Sequence, residues 1–92
     1  MEVSFDPIKN AQNIELRGLS FERAAEFEFA LAWIVVDDRK EYGETRYRAI
    51  GFLKERLHAL VFTETQVGIR VISFRKANQR EERRYEQTKT NP

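Results

Sequence analysis

Arg75 and Lys76, adjacent cations at the end of an apolar run, are the residues of this chain best suited to chemistry on an anion. They follow Gly68-Ile69-Arg70-Val71-Ile72-Ser73-Phe74, whose β-branched and aromatic residues fit a pleated, mostly buried strand. Just after them, Asn78-Gln79-Arg80-Glu81 opens a charged helical run. Asn78 can accept from the backbone N–H of Glu81 while the Glu81 carboxylate reaches back, a capping box with Asn in place of Ser or Thr. A helix start presents unpaired backbone N–H groups, so a strand that ends there favours anions. Arg70 is expected in phase with Ile72 and Lys76 rather than with Arg75. From Ile69 onward seven Lys or Arg face three Asp or Glu, a local charge of +4, against −3 for the residues before it. The overall +1 therefore hides a polar molecule, whose C-terminal end is the part to meet a phosphate-bearing partner.

The elements that must position these residues belong to one domain over residues 1–87, with a polar, frayed tail at 88–92. Cysteine is absent, which excludes disulfides, a thiol nucleophile and Cys-ligated zinc. With one histidine as well, no metal site and no cofactor is expected. The longest apolar run, Phe29-Ala30-Leu31-Ala32-Trp33-Ile34-Val35-Val36, falls far short of the ~20 residues that span a bilayer. No basic stretch followed by an apolar one opens the chain, so a cytoplasmic protein without membrane contact is expected.

In chain order, Val3-Ser4-Phe5 is short and can add an edge strand. Asp6 as N-cap and Pro7 at the first helical position start a helix that stops at Gly18. Its few apolar positions, Ile8, Ala11, Ile14 and Leu16, place it on the surface of a sheet. Ser20 caps a second helix, in which Phe21, Ala24, Ala25, Glu28 and Phe29 fall on one stripe. The period then changes to two: strands at 32–36, 46–52, 57–63 and the run ending at Lys76, joined by short turns, form an antiparallel meander. On the second of them Arg46, Arg48, Ile50 and Phe52 share one face, and Tyr47, Ala49, Gly51 and Leu53 the other. The expected class is α+β, with two N-terminal helices on a four-stranded antiparallel meander and a C-terminal helix beyond it.

Three blocks in order resemble BrnT-type toxins. They are Phe5-Asp6-Pro7-x-Lys9-Asn10-x-x-Asn13 with Gly18-Leu19-Ser20-Phe21-Glu22-x-Ala24; Asp37-Asp38-Arg39-x-x-Tyr42-Gly43-Glu44-x-Arg46-x-x-Ala49-Ile50-Gly51; and Leu57 through Thr63-Glu64, then Ile69-Arg70-Val71-Ile72-Ser73-x-Arg75-Lys76-Ala77 with Arg83-Arg84-Tyr85-Glu86. The resemblance covers residues 5–86. It implies a fold related to RelE-type ribonucleases and the toxin role in a type II toxin–antitoxin pair. It also implies neutralisation by a BrnA-type ribbon-helix-helix antitoxin, with operator DNA touched only through that antitoxin. Members usually carry a basic residue and then His before the glycine that ends the first helix; here that place reads Leu16-Arg17-Gly18. Arginine keeps the charge and can hold a phosphate bidentately, but it does not exchange protons near neutral pH.

Cleaving RNA without a metal requires the 2′-OH to be aligned on its own phosphate, with cations around the developing charge. Arg17, Arg75 and Lys76 are the catalytic candidates. Arg46, Arg48, Arg70, Arg83 and Arg84 are candidates for an RNA track, with Tyr85 to stack on a base. The plainer alternatives are a solvated basic face, a Tyr85 that pins its helix to the sheet, and Arg46 and Arg48 paired with Asp37, Asp38 or Glu44. His58, the single histidine, reads as a hydrogen-bonded residue of a sheet face, with a general acid as the alternative. The base stays open among Glu41, Glu44, Glu64 and Tyr47, and Trp33 reads as core. Two functions follow: a metal-independent endoribonuclease, or a non-catalytic member of the same fold that binds RNA or antitoxin, the reading that Arg17 in place of His keeps open.

Overall fold

The computed structural model describes residues 1–90. Five strands form one sheet in the order β1-β5-β4-β3-β2. They are β1 (Glu2–Ser4), β2 (Trp33–Val36), β3 (Tyr47–Leu53), β4 (Arg56–Glu64) and β5 (Gly68–Lys76). β2 to β5 pair antiparallel in chain order, as their short connections dictate. β1 adds in parallel along β5 as the edge strand expected near Val3-Ser4-Phe5, one residue earlier, which makes five strands with the four-stranded meander. Gly68 permits that addition, because a Cβ at this position would collide with the Glu2 backbone.

Helix α1 (Pro7–Arg17) has the expected ends: Asp6 Oδ1 accepts from the Ile8 N–H at 2.9 Å, and Gly18 closes it at φ 65°. It buries no residue of its own. Two asparagines hold it instead. Asn13 Nδ2 donates to the carbonyls of Leu19 and Phe74, each at 2.9 Å, and Asn10 Oδ1 accepts from the Phe21 N–H at 2.7 Å. Each bond is worth about 1 kcal/mol net, and together they take the place of an apolar face.

The second N-terminal α-helix does not form. Ser20 does cap, accepting from the Glu22 N–H at 3.2 Å, but Phe21–Glu26 and Phe29–Leu31 are 3₁₀ segments. Phe21, Ala24 and Phe27 are buried while Ala25 and Glu28 are exposed. A spacing of three suits the 3₁₀ helix, whose side chains eclipse every third residue, better than the 3.6 of an α-helix.

Both faces of the sheet are covered. On one, Ala49, Leu53, Leu60, Phe62, Ile69, Val71 and Phe74 pack against Leu19, Phe21, Ala24 and Phe27. On the other, Ile50 and Leu57 meet Ala77 and Tyr85, with Trp33 and Phe52 alongside. Helix α2 (Gln79–Thr90) therefore folds back over this second face instead of lying beyond the sheet. It runs through Thr90, past the tail boundary expected at residue 87, and Asn91 and Pro92 lie outside the described residues.

The pairing of β4 with β5 slips by one residue: Val61 is opposite Ser73, but Phe62 is opposite Val71. One extra residue in β5 inverts its alternation. Ile69 and Val71 thereby share a core with Phe74. Arg70, opposite Thr63, comes into phase with Arg75, opposite Ala59, and not with Lys76. The uninterrupted period expected from the sequence has no room for that bulge.

Candidate functional site

Two cationic depressions flank the end of β5. The first is a cleft of about 470 Å³ between α2 and the sheet, lined by Arg39, Arg48, Arg75, Arg80, Arg83 and Arg84 with Trp33, Ala59 and Val61. Its fixed point is Glu81. The capping box forms as the sequence predicts: Glu81 N–H donates to Asn78 Oδ1 and Asn78 N–H to Glu81 Oε1, both at 2.9 Å. The same carboxylate takes Arg75 Nη1 at 2.8 Å and Nη2 at 2.9 Å. Arg75 holds the Glu81 carboxyl below the usual carboxylate range, against the effect of burial, and Glu81 raises Arg75 in return. Arg75 is thus already engaged, and an anion entering the cleft competes with Glu81 for it.

Asp37, only 4% exposed, fixes the far wall. Its carboxylate accepts from Arg39 Nε at 2.7 Å and Nη2 at 2.9 Å and from the Tyr42 hydroxyl at 3.2 Å. The bonds from Arg39 hold the carboxyl far below the ordinary aspartate value, although burial pushes it up. Arg48 Nε lies 4.0 Å from the same carboxylate and is buried without a hydrogen-bond partner. Arg84 sits 5.1 Å over the Trp33 ring.

The second depression, about 570 Å³, opens beside the C-terminus of α1 and the β3–β4 turn. Arg17, Arg23, Lys54, Arg56, His58 and Lys76 line it, with Glu55 as the one carboxylate in its wall. Lys76 is the register partner of His58 across β4 and β5. His58 is 5% exposed, and its Nδ1 lies 2.9 Å from the Arg56 carbonyl. Burial lowers the imidazole pKa from its ordinary value; the Arg56 carbonyl opposes this, and the charges of Arg56, Lys76 and Arg23 add to it.

The expected catalytic trio is therefore divided, with Arg17 and Lys76 in the second depression and Arg75 in the first. Of the expected RNA track, Arg48, Arg83 and Arg84 line the arginine cleft. Arg46 does not; it bonds Glu44 at 2.9 Å and covers the Tyr42 ring at 4.2 Å. Arg70 sits at a separate shallow rim with Glu44, Thr63 and Glu64. Tyr85 is a correction. It is buried, its hydroxyl donates to the Leu31 carbonyl at 3.0 Å and its ring lies edge-on to Phe52, so no face is left for a base. Spacing hid Arg39 and Arg80, the first in a loop after β2 and the second on the opening turn of α2. Among the described residues no three His, Asp or Glu side chains gather as a metal site, and no helix is long and apolar enough to cross a membrane.

The protein is thus of α+β class, with cations gathered on both sides of one strand end. The chain belongs to the BrnT family, the ribonuclease toxins of type II toxin–antitoxin systems, whose family model matches residues 5–81. Comparison with curated proteins and with solved structures returned no match.

Proposed function

We propose that this chain is a metal-independent endoribonuclease of RelE-like fold, acting in the cytoplasm on RNA and neutralised by a BrnA-type antitoxin. One observation carries the reading: Arg17, Arg23, Lys54, Arg56 and Lys76 converge on one depression from four parts of the chain, with one carboxylate among them. Attack of a ribose 2′-OH on its own phosphate concentrates negative charge on the phosphoryl oxygens. Cations already in place stabilise that charge without reorganising, and each well-placed donor contributes about 10²–10³ in rate. Arg17 and Lys76 take this role. An RNA strand passing over the end of β5 reaches Lys76 on one face and Arg48, Arg83 and Arg84 on the other. The arginine cleft also suits an acidic amphipathic antitoxin segment that orders on binding and displaces RNA by occupancy.

Purified protein incubated with RNA in chelator should give discrete cuts ending in 2′,3′-cyclic or 3′-phosphates, and should leave DNA of the same sequence whole. Cleavage abolished by EDTA and restored by magnesium would overturn the metal-free mechanism and point to carboxylates instead. Saturating antitoxin should abolish RNA binding; RNA still bound would confine neutralisation to catalysis.

A further inference from the structure

Metal-free cleavage of RNA needs a group that accepts the 2′-OH proton, and arginines and ammonium groups already charged cannot do so. His58 lies in the wall of the depression that holds Arg17 and Lys76. The Arg56 carbonyl can only accept a hydrogen bond, so Nδ1, at 2.9 Å, carries the proton of the neutral ring. That leaves Nε2 with its lone pair, and it makes no hydrogen bond to the described residues. Phe74 on β5 braces the ring, with centroids 5.5 Å apart. Because His58 lines the cationic depression and its Nε2 is left without a partner among the described residues, we infer that His58 is the general base of RNA cleavage; the inference rests on the ribonuclease reading above.

The step balances. Nε2 takes the proton of the 2′-OH, O2′ forms a bond to phosphorus, and the bond from phosphorus to O5′ breaks. The leaving O5′ takes a proton from Lys76, the register partner of His58, which regains it from solvent. The products are a 2′,3′-cyclic phosphate, a 5′-hydroxyl and an imidazolium that returns its proton to solvent. The groups facing the ring favour its neutral form at the start. Burial acts first, and the positive charges of Arg56 on β4, Lys76 on β5 and Arg23 on the 3₁₀ segment add to it. Arg17 at the end of α1 and Lys54 in the β3–β4 turn stand in the same wall, and Glu55 supplies its opposing charge. Once the phosphate is bound its charge offsets these cations, so the base strengthens when substrate arrives.

His58→Asn tests this, because an asparagine amide can still donate to the Arg56 carbonyl but has no basic nitrogen. Cleavage should fall by about 10²–10³-fold, within the usual range for general bases, while RNA affinity and melting temperature stay near wild type. The wild-type rate should rise with pH and level off near neutrality, and the variant should lack that limb. Wild-type rate and pH profile in a folded His58→Asn protein would overturn the assignment. A second measurement stands even if the variant fails to fold. The chain has one histidine, so its imidazole signals in an NMR titration are unambiguous. A short 2′-deoxy oligonucleotide, which cannot be cut, should move those signals and raise the midpoint. An unmoved titration with the oligonucleotide bound would place the phosphate elsewhere and reject His58. A wild-type protein that binds RNA but never cuts it, with or without magnesium, would overturn the ribonuclease reading and this assignment together. Cutting by wild type and His58→Asn alike would overturn the assignment alone.

Discussion

Arg75 and Lys76 are consecutive in the chain, yet their side chains serve opposite faces of the sheet. Arg75 meets Glu81 at 2.8 and 2.9 Å under α2, and Lys76 shares a depression with Arg17 and His58. Strand alternation requires the split, since successive side chains leave a strand in opposite directions. The cations at the end of β5 are thus divided between two depressions joined by one strand end.

Lys76→Ala and Arg75→Ala should for that reason behave differently. Lys76→Ala should lower the rate of RNA cleavage by about 10²-fold, with little change in melting temperature. Arg75→Ala leaves Glu81 without its ion partner and should cost about 1–2 kcal/mol of stability, a figure discounted because both side chains are partly exposed. Lys76→Ala should leave the Arg75–Glu81 pair intact, because Arg75 Nη1 bonds Lys76 through its backbone carbonyl, at 3.2 Å, which the substitution retains. Thermal melts and single-turnover cleavage of both variants and the double variant check this; a stability loss from Lys76→Ala as large as that from Arg75→Ala would contradict the split.

Arg48→Ala and Arg84→Ala should each weaken RNA binding and reduce the slope of log affinity against log salt by about 1, because each removes one phosphate neutraliser. Arg46→Ala, whose parent residue is held by Glu44 and Tyr42 outside the cleft, should leave the slope unchanged. Filter binding at several salt concentrations decides it.

Asp37→Asn should destabilise the protein by about 2 kcal/mol at neutral pH, since it removes the charge that Arg39 and Tyr42 are arranged around. The native Asp37 pKa lies below its unfolded value. Its contribution is therefore complete above about pH 4, the ordinary aspartate range, and is lost as the pH falls towards the native pKa. Urea melts from pH 7 downward should show the wild-type and Asp37→Asn curves converging in acid.

What the sequence determined by itself is what depends on near neighbours. The Asp6 cap, the Gly18 stop, the Asn78–Glu81 capping box and the two faces of β3 all rest on residues a few positions apart, where local sterics and hydrogen bonding decide. The family match was equally legible, because its blocks are contiguous runs. Only the tertiary structure decided what depends on partners far along the chain. The Phe21, Ala24 and Phe27 spacing became a 3₁₀ segment because all three must enter one core. The bulge that moved Arg70 into phase with Arg75 exists only in the register between β4 and β5. Tyr85 left the surface because α2 folded back onto Phe52 and the Leu31 carbonyl. Arg17, His58 and Lys76, from three distant stretches, meet only where the end of α1 comes beside paired β4 and β5, held there by Asn13 on the Phe74 carbonyl. No period within the sequence encodes that meeting, because it is made by packing and pairing across dozens of residues.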